Sequence, residues 1–152
     1  MDFAKSTFNV ELKNELKSID GTFDAVSLFN VIEHVVDIYS LIYDAKVKMN
    51  KNGILILTTP NPKGFQVLIK GLNRWVMIMP PHHINLFSKA ALLEILENTG
   101  FELLQYETLN TYFMADFLSK HGTKYQIIRR IVMYLFKFLN IGADHLIIAK
   151  QK

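Results

Sequence analysis

The stretch Phe23–Pro62, FDAVSLFNVIEHVVDIYSLIYDAKVKMNKNGILILTTPNP, constrains the fold more than any other part of the chain. Asp24–Phe29 is a short, near-continuous apolar run with β-branched and aromatic members, the composition of a strand buried on both faces. From Val35 the period lengthens. Ile38, Leu41, Ile42, Ala45 and Met49 follow the spacing of an amphipathic helix, with Asp37 placed as N-cap and Gly53 beyond the end. Ile54–Thr58 then returns to strand composition and is stopped by Pro60 and Pro62, because proline cannot donate to a central ladder. Strand, helix and strand in this order form a βαβ unit, whose crossover is right-handed and whose strands run parallel. Ligands of open α/β sheets bind outside the carboxyl ends of the strands. Asn30, Glu33 and His34, just past the first strand, therefore stand where chemistry would be placed.

The rest of the chain is read relative to that crossover. Phe8, Val10 and Leu12 alternate weakly, and Thr7–Leu12 is expected as a short strand. Phe65–Leu72 has helical potential, and Pro80 and Pro81 forbid regular structure around themselves, which puts His82 and His83 on a loop. Ser88 is a good N-cap for a helix over Lys89–Asn98, with Gly100 suited to the left-handed position after its end. Phe101–Leu109 has strand composition with partial alternation, as expected nearer a sheet edge. Asn110–His121 has no clear pattern. Ile127, Ile131, Leu135 and Phe138 share one helical face, opposite Arg129, Arg130 and Lys137. We read this segment as a helix lying on the sheet in preference to one lying along a membrane. His145–Lys150 is a last strand. Four or five strands alternate with three or four helices in a single domain, residues 1–152.

Composition narrows the functional classes. At 152 residues and 50% hydrophobic content the chain can bury one core. Its net charge of +3 is spread without a basic run, so nucleic-acid binding is not expected. With no cysteine, disulfides, thiolate metal sites and a cysteine nucleophile are excluded, and a cytoplasmic setting is expected. The opening MDFAKSTFNVEL lacks a signal-peptide pattern. Tyr125–Leu139 is interrupted by charge and shorter than the ~20 apolar residues a span requires, so no transmembrane helix is expected.

FDAVSLFNVIEHV, then NGILILTTPNP, then PPHHINLFS, then a helix ending TGF, together resemble the class I S-adenosylmethionine-dependent methyltransferases. Within that superfamily the chain is most similar to the group that includes ubiquinone-pathway O-methyltransferases and many small-molecule and cell-envelope sugar methyltransferases. The resemblance runs over Phe23–Lys150 and covers the C-terminal half of the family's fold. It implies an α/β, Rossmann-like methyltransferase sheet that is incomplete, mostly parallel with an antiparallel last strand, and covered by helices on both faces. It also implies S-adenosylmethionine as cofactor and methyl transfer to an oxygen of a small-molecule or glycan acceptor. The family's glycine-rich cofactor loop and the acidic residue that holds the ribose are not in this sequence, where no two glycines fall as GxG.

Carried over position by position, the resemblance makes Phe29, Asn30 and Val31 the wall at the methionine end of the cofactor. Phe29 reads equally as a core residue and Asn30 as a turn residue. Some relatives bind a divalent metal with a Glu-x-x-Glu-His sequence and a later histidine. Glu33 and His34 match its last two positions, His82 or His83 supplies the later ligand, and Asn30 stands where the first glutamate would be. His34 and His82 are alternatively general bases for the acceptor hydroxyl, or simply loop-fixing residues. Trp75, Met77, Met79 and Phe87 form either an apolar lid over the acceptor or part of the core. Three functions stand: a methyltransferase, truncated here, a non-catalytic methyltransferase-like domain, or, third, a metal-binding module using Glu33, His34 and His82. The second would bind a partner chain, or a second copy as a homodimer, through the sheet edge left open by the missing strands.

Overall fold

The computed structural model describes residues 2–75, 77–78, 80–109, 132 and 134–152. Along the chain run α1 (Asp2–Phe8), β1 (Phe23–Phe29), α2 (Ile38–Val47), β2 (Met49–Pro60), α3 (Phe65–Lys70), α4 (Lys89–Asn98), β3 (Phe101–Leu109) and β4 (Asp144–Gln151). The strands form one sheet in the order β1-β2-β4-β3. β1 pairs with β2 in parallel, with Val26 beside Leu55 and Phe29 beside Thr58. β4 is antiparallel to both its neighbours, so β1, β2 and β3 run one way and the last strand is inserted the other way between β2 and β3. The expected Rossmann-like α/β architecture is present, with a single parallel pair.

Local chemistry accounts for the helix positions. Asp37 caps α2 by accepting from the Ser40 amide at 2.9 Å, and Ser88 caps α4 by accepting from Ala91 at 3.2 Å, so both predicted N-caps hold. α4 ends at Gly100, which takes φ +77°, the left-handed region glycine enters without a Cβ clash. Lys46 donates to the Thr99 carbonyl at 2.8 Å, placing a cation at the negative end of α4. Alternate residues of the strands (Leu28, Leu55, Leu57, Ile147, Ala149) pack with Ile42 of α2 and Leu92, Ile95 and Leu96 of α4 in one core cluster.

Three expectations change. Thr7–Leu12 is not a strand: its first residues close α1, and Phe8, Val10 and Leu12 are exposed, so the weak alternation found no partner strand. α2 stops at Val47 with Lys48 as cap, and Gly53 lies inside the next strand instead of behind the helix. β2 is longer than Ile54–Thr58 and ends on Pro60, tolerated at the last rung opposite Asp144. The helix expected over Ile127–Leu139 lies mostly outside the described residues, with residues 134–138 helical.

Candidate active site

β1 ends at Phe29, 59% exposed, and the chain turns through Asn30 at φ +53°. Asparagine tolerates this left-handed conformation. Here Thr58 holds it, its carbonyl accepting from the Asn30 amide at 3.0 Å and its hydroxyl donating to Asn30 Oδ1 at 2.8 Å. The exposure of Phe29 removes the core reading, and Asn30 is the turn residue. Val31 packs against the core cluster.

The turn leads into one turn of 3-10 helix, Ile32–His34. Glu33 is fully buried. Its Oε2 accepts from the Thr59 hydroxyl at 3.1 Å, while Oε1 has no hydrogen-bond partner among the described residues and lies 3.9 Å from His34 Nε2. A buried carboxylate oxygen left in this way is costly unless a proton or cation meets it.

The histidine loop is strapped onto the 3-10 turn. The Glu33 carbonyl accepts from the amides of Ile84 at 2.9 Å and Asn85 at 3.1 Å, and the Asn85 side chain donates to the Val35 carbonyl at 2.7 Å. His34 Nδ1 lies 2.6 Å from the His82 carbonyl, and His83 Nδ1 lies 2.7 Å from the Met77 carbonyl. A carbonyl only accepts, so both Nδ1 atoms carry hydrogen and each ring, when neutral, keeps its lone pair on Nε2. The two rings meet edge to face at 4.7 Å. Glu33, His34 and His83 each offer one ligand atom within 4.8 Å of the others.

The later histidine in this cluster is therefore His83. The side chain of His82 is exposed and its contribution is the carbonyl that fixes the His34 tautomer. Adjacent loop residues point in different directions, and spacing alone cannot say which faces the glutamate. Trp75 and Phe87 are buried, Phe87 within the core cluster and Trp75 through an Nε1 bond to Gln66 at 3.2 Å, so neither is a lid. Met79 lies outside the described residues.

Sequence reading missed a second polar group next door. Thr59, the donor to Glu33, pairs across the sheet with His145. His145 is buried between Tyr106, whose hydroxyl is 2.8 Å from Nδ1, and the Phe87 carbonyl, 3.1 Å from Nε2. Nε2 therefore donates and Nδ1 accepts. Burial, with Lys89 adding to it against the opposing Phe87 bond, lowers the His145 pKa to about 4, so the ring is neutral. Tyr106 is raised by burial. The Lys89 ammonium sits 4.1 Å from the centre of the Tyr106 ring. His145, Tyr106 and Lys89, together with Asn61, Lys63, Ser88 and Leu93, line a cavity of about 420 Å³. The signal available in sequence was a histidine opening the otherwise apolar run of His145–Lys150.

Comparison with known proteins agrees with this architecture. Residues 3–106 match the family described as methyltransferase domain. No curated protein matches the chain. Among solved structures, a SAM-dependent methyltransferase from Archaeoglobus fulgidus is 25% identical, with a TM-score of 0.64 over 99% of this chain and 71% of that one. A SAM-dependent methyltransferase from Thermotoga maritima, described as a possible histamine N-methyltransferase, is 18% identical, with a TM-score of 0.62 over 93% of this chain and 63% of that one. Magnesium protoporphyrin IX methyltransferase from Synechocystis PCC 6803 with bound SAH is 14% identical, with a TM-score of 0.53 over 99% of this chain and 57% of that one. The chain thus spans between 57% and 71% of these proteins' lengths.

Proposed function

We propose a function from one premise: the chain belongs to the methyltransferase domain family. Its reaction is the transfer of a methyl group to an oxygen of a small-molecule or glycan acceptor, and Glu33, His34 and His83 are the groups that act on that oxygen. The observation that carries this reading is the cluster itself, at the carboxyl end of β1, with a buried carboxylate oxygen that has no hydrogen-bond partner among the described residues beside imidazole nitrogens whose tautomers are fixed by loop carbonyls.

S-Adenosylmethionine, when bound, supplies the methyl group on a sulfonium that is already a strong electrophile, so positioning and proton removal are what the protein must add. The residues here fit one wall of its site: Phe29 at the open sheet end, the Asn30 turn, and Val31 behind it. The glycine turn and ribose carboxylate of the opposite wall are not among the described residues. His34 Nε2 takes the acceptor proton, and Glu33, 3.9 Å away, stabilises the imidazolium that results.

A divalent cation fits the same donor set. One carboxylate and two neutral imidazoles suit Zn²⁺ better than Mg²⁺, which prefers oxygen ligands. Held there, the ion would lower the pKa of the acceptor oxygen. Asn30 does not join, because its Oδ1 is taken by Thr58. We expect Zn²⁺ added to the apo protein to raise its melting temperature. His83→Ala and Glu33→Gln should each weaken Zn²⁺ at least ten-fold, on the order of the loss seen for groups that support a metal site, whereas His82→Ala should leave it unchanged. Equal calorimetric titrations for all four proteins would remove the metal and leave His34 as base.

A second reading is favoured by the sheet edge. Ala25, Ser27 and Phe29 of β1 are exposed, and β1 is the terminal strand, so its outer backbone groups are open to strand addition by a second copy or another chain. Calorimetry with S-adenosylmethionine separates the readings. We expect negligible binding by the chain alone, and micromolar binding by the monomer would show that no partner is required to complete the pocket.

A further inference from the structure

We propose that α3 and the segment Tyr134–Leu139 form a surface that docks on an anionic lipid bilayer. α3 turns Phe65 and Gln66 inward and leaves Leu68 and Ile69 on the outside, with Ile69 75% exposed, and Leu72 just past its end is exposed as well. The Phe65 ring stacks on Phe136 at 4.6 Å, and its amide donates to the Ile141 carbonyl at 2.7 Å. These contacts bring α3 beside the second segment, where Leu135, Phe138 and Leu139 are also exposed. Large aliphatic and aromatic side chains gathered in this way mark an interaction surface, since isolated exposed apolar residues need no such explanation.

Charge selects the occupant. Between Asp44 and Glu94 the sequence has no acidic residue, and between Asp116 and Asp144 it again has none. Both apolar segments fall inside these two stretches, flanked by Lys63, Lys70, Arg74 and Lys137. Lys137 is paired with Glu107 at 2.7 Å. Apolar side chains rimmed by Lys63, Lys70 and Arg74, with Glu107 set against Lys137, match an interface of acyl chains and anionic headgroups. The same arrangement disfavours a second copy, whose like-charged rim would repel. No helix among the described residues is long and apolar enough to cross a membrane, so the contact is with the bilayer surface. Buried Trp75 holds the chain after α3 to Gln66, and Met77 holds His83. A docked α3 is thereby tied to the histidine loop. This docking does not depend on the methyl-transfer reading.

Flotation of the full chain with phosphatidylcholine vesicles, with and without phosphatidylglycerol, tests the proposal. We expect binding to the anionic vesicles that weakens with salt. Leu68→Ser/Ile69→Ser should reduce it at least ten-fold, and Lys63→Gln and Arg74→Gln about five-fold each, all with unchanged melting curves because the four side chains are exposed. The proposal is overturned if no vesicle floats the protein, or if the Leu68/Ile69 variant floats as well as wild type. It is equally overturned if light scattering shows self-association that needs Leu68 and Ile69 while vesicles have no effect.

Discussion

Gly142→Ala is expected to destabilise the protein by about 3 kcal/mol, at the upper end of overpacking costs, and to lower its melting temperature by roughly 6–12 °C for a domain of this size. Gly142 stands at the entry to β4, where three segments meet. Its amide donates to the Thr108 hydroxyl at 3.0 Å and its carbonyl accepts from the Asn61 side chain at 2.9 Å. A Cβ there would lie 2.6 Å from the Leu109 carbonyl oxygen and 2.8 Å from Thr108 Cβ. The opposing atoms are backbone and a branched side-chain root, which cannot swing aside as a lysine tip could. Relief therefore requires β3 and β4 to separate at the end that carries His145 and Tyr106. Gly21→Ala is the control: its φ is +82° but nothing lies within 4 Å of an added Cβ, so only the left-handed penalty of about 1 kcal/mol applies. Urea unfolding of the two variants decides the matter, and equal losses would show that the close approach at Gly142 relaxes freely.

The parts legible in sequence were those set by local rules. Asp37 and Ser88 cap the helices expected of them, Gly100 takes the left-handed turn, and Ile54–Thr58 lies at the centre of the sheet. Each of these depends on a few neighbouring residues. Thr7–Leu12 misled because alternation specifies a strand only when another strand offers an edge. In the site, Glu33 and His34 were legible from their place after a strand. The choice of His83 over His82 depends on bonds to Met77 and Ile84 that close through the fold. His145 was invisible for the same reason, since its partners Tyr106 and Phe87 come from elsewhere in the chain. Long-range polar pairing, unlike capping, leaves no periodic trace.

His145 gives the other large expected effect, a loss of about 3 kcal/mol of stability between about pH 7 and about pH 4 that the single residue causes. The unfolded chain takes up a proton on this imidazole near its ordinary value of 6.5, whereas the folded protein does so only at about 4. Below 6.5 the unfolded state therefore binds the proton that the native state refuses. The stabilisation is complete above the unfolded pKa and disappears as the pH falls through the window down to the folded one. Protonation is refused first because the ring is buried, 2% exposed, and then because Lys89 is close. The Phe87 carbonyl opposes the shift by accepting from Nε2, and Tyr106 occupies Nδ1 as a donor, so a second ring proton would displace that bond. The other four histidines, His34, His82, His83 and His121, are common to wild type and variant. The difference in unfolding free energy between wild type and His145→Gln isolates the buried ring. It should narrow by about 3 kcal/mol as the pH drops from about 7 to about 4, and a constant difference across that range would mean that His145 is not held neutral in the fold. The outcome also bears on the cavity, because a neutral His145 leaves Lys63 and Lys89 as the cationic side chains that line it.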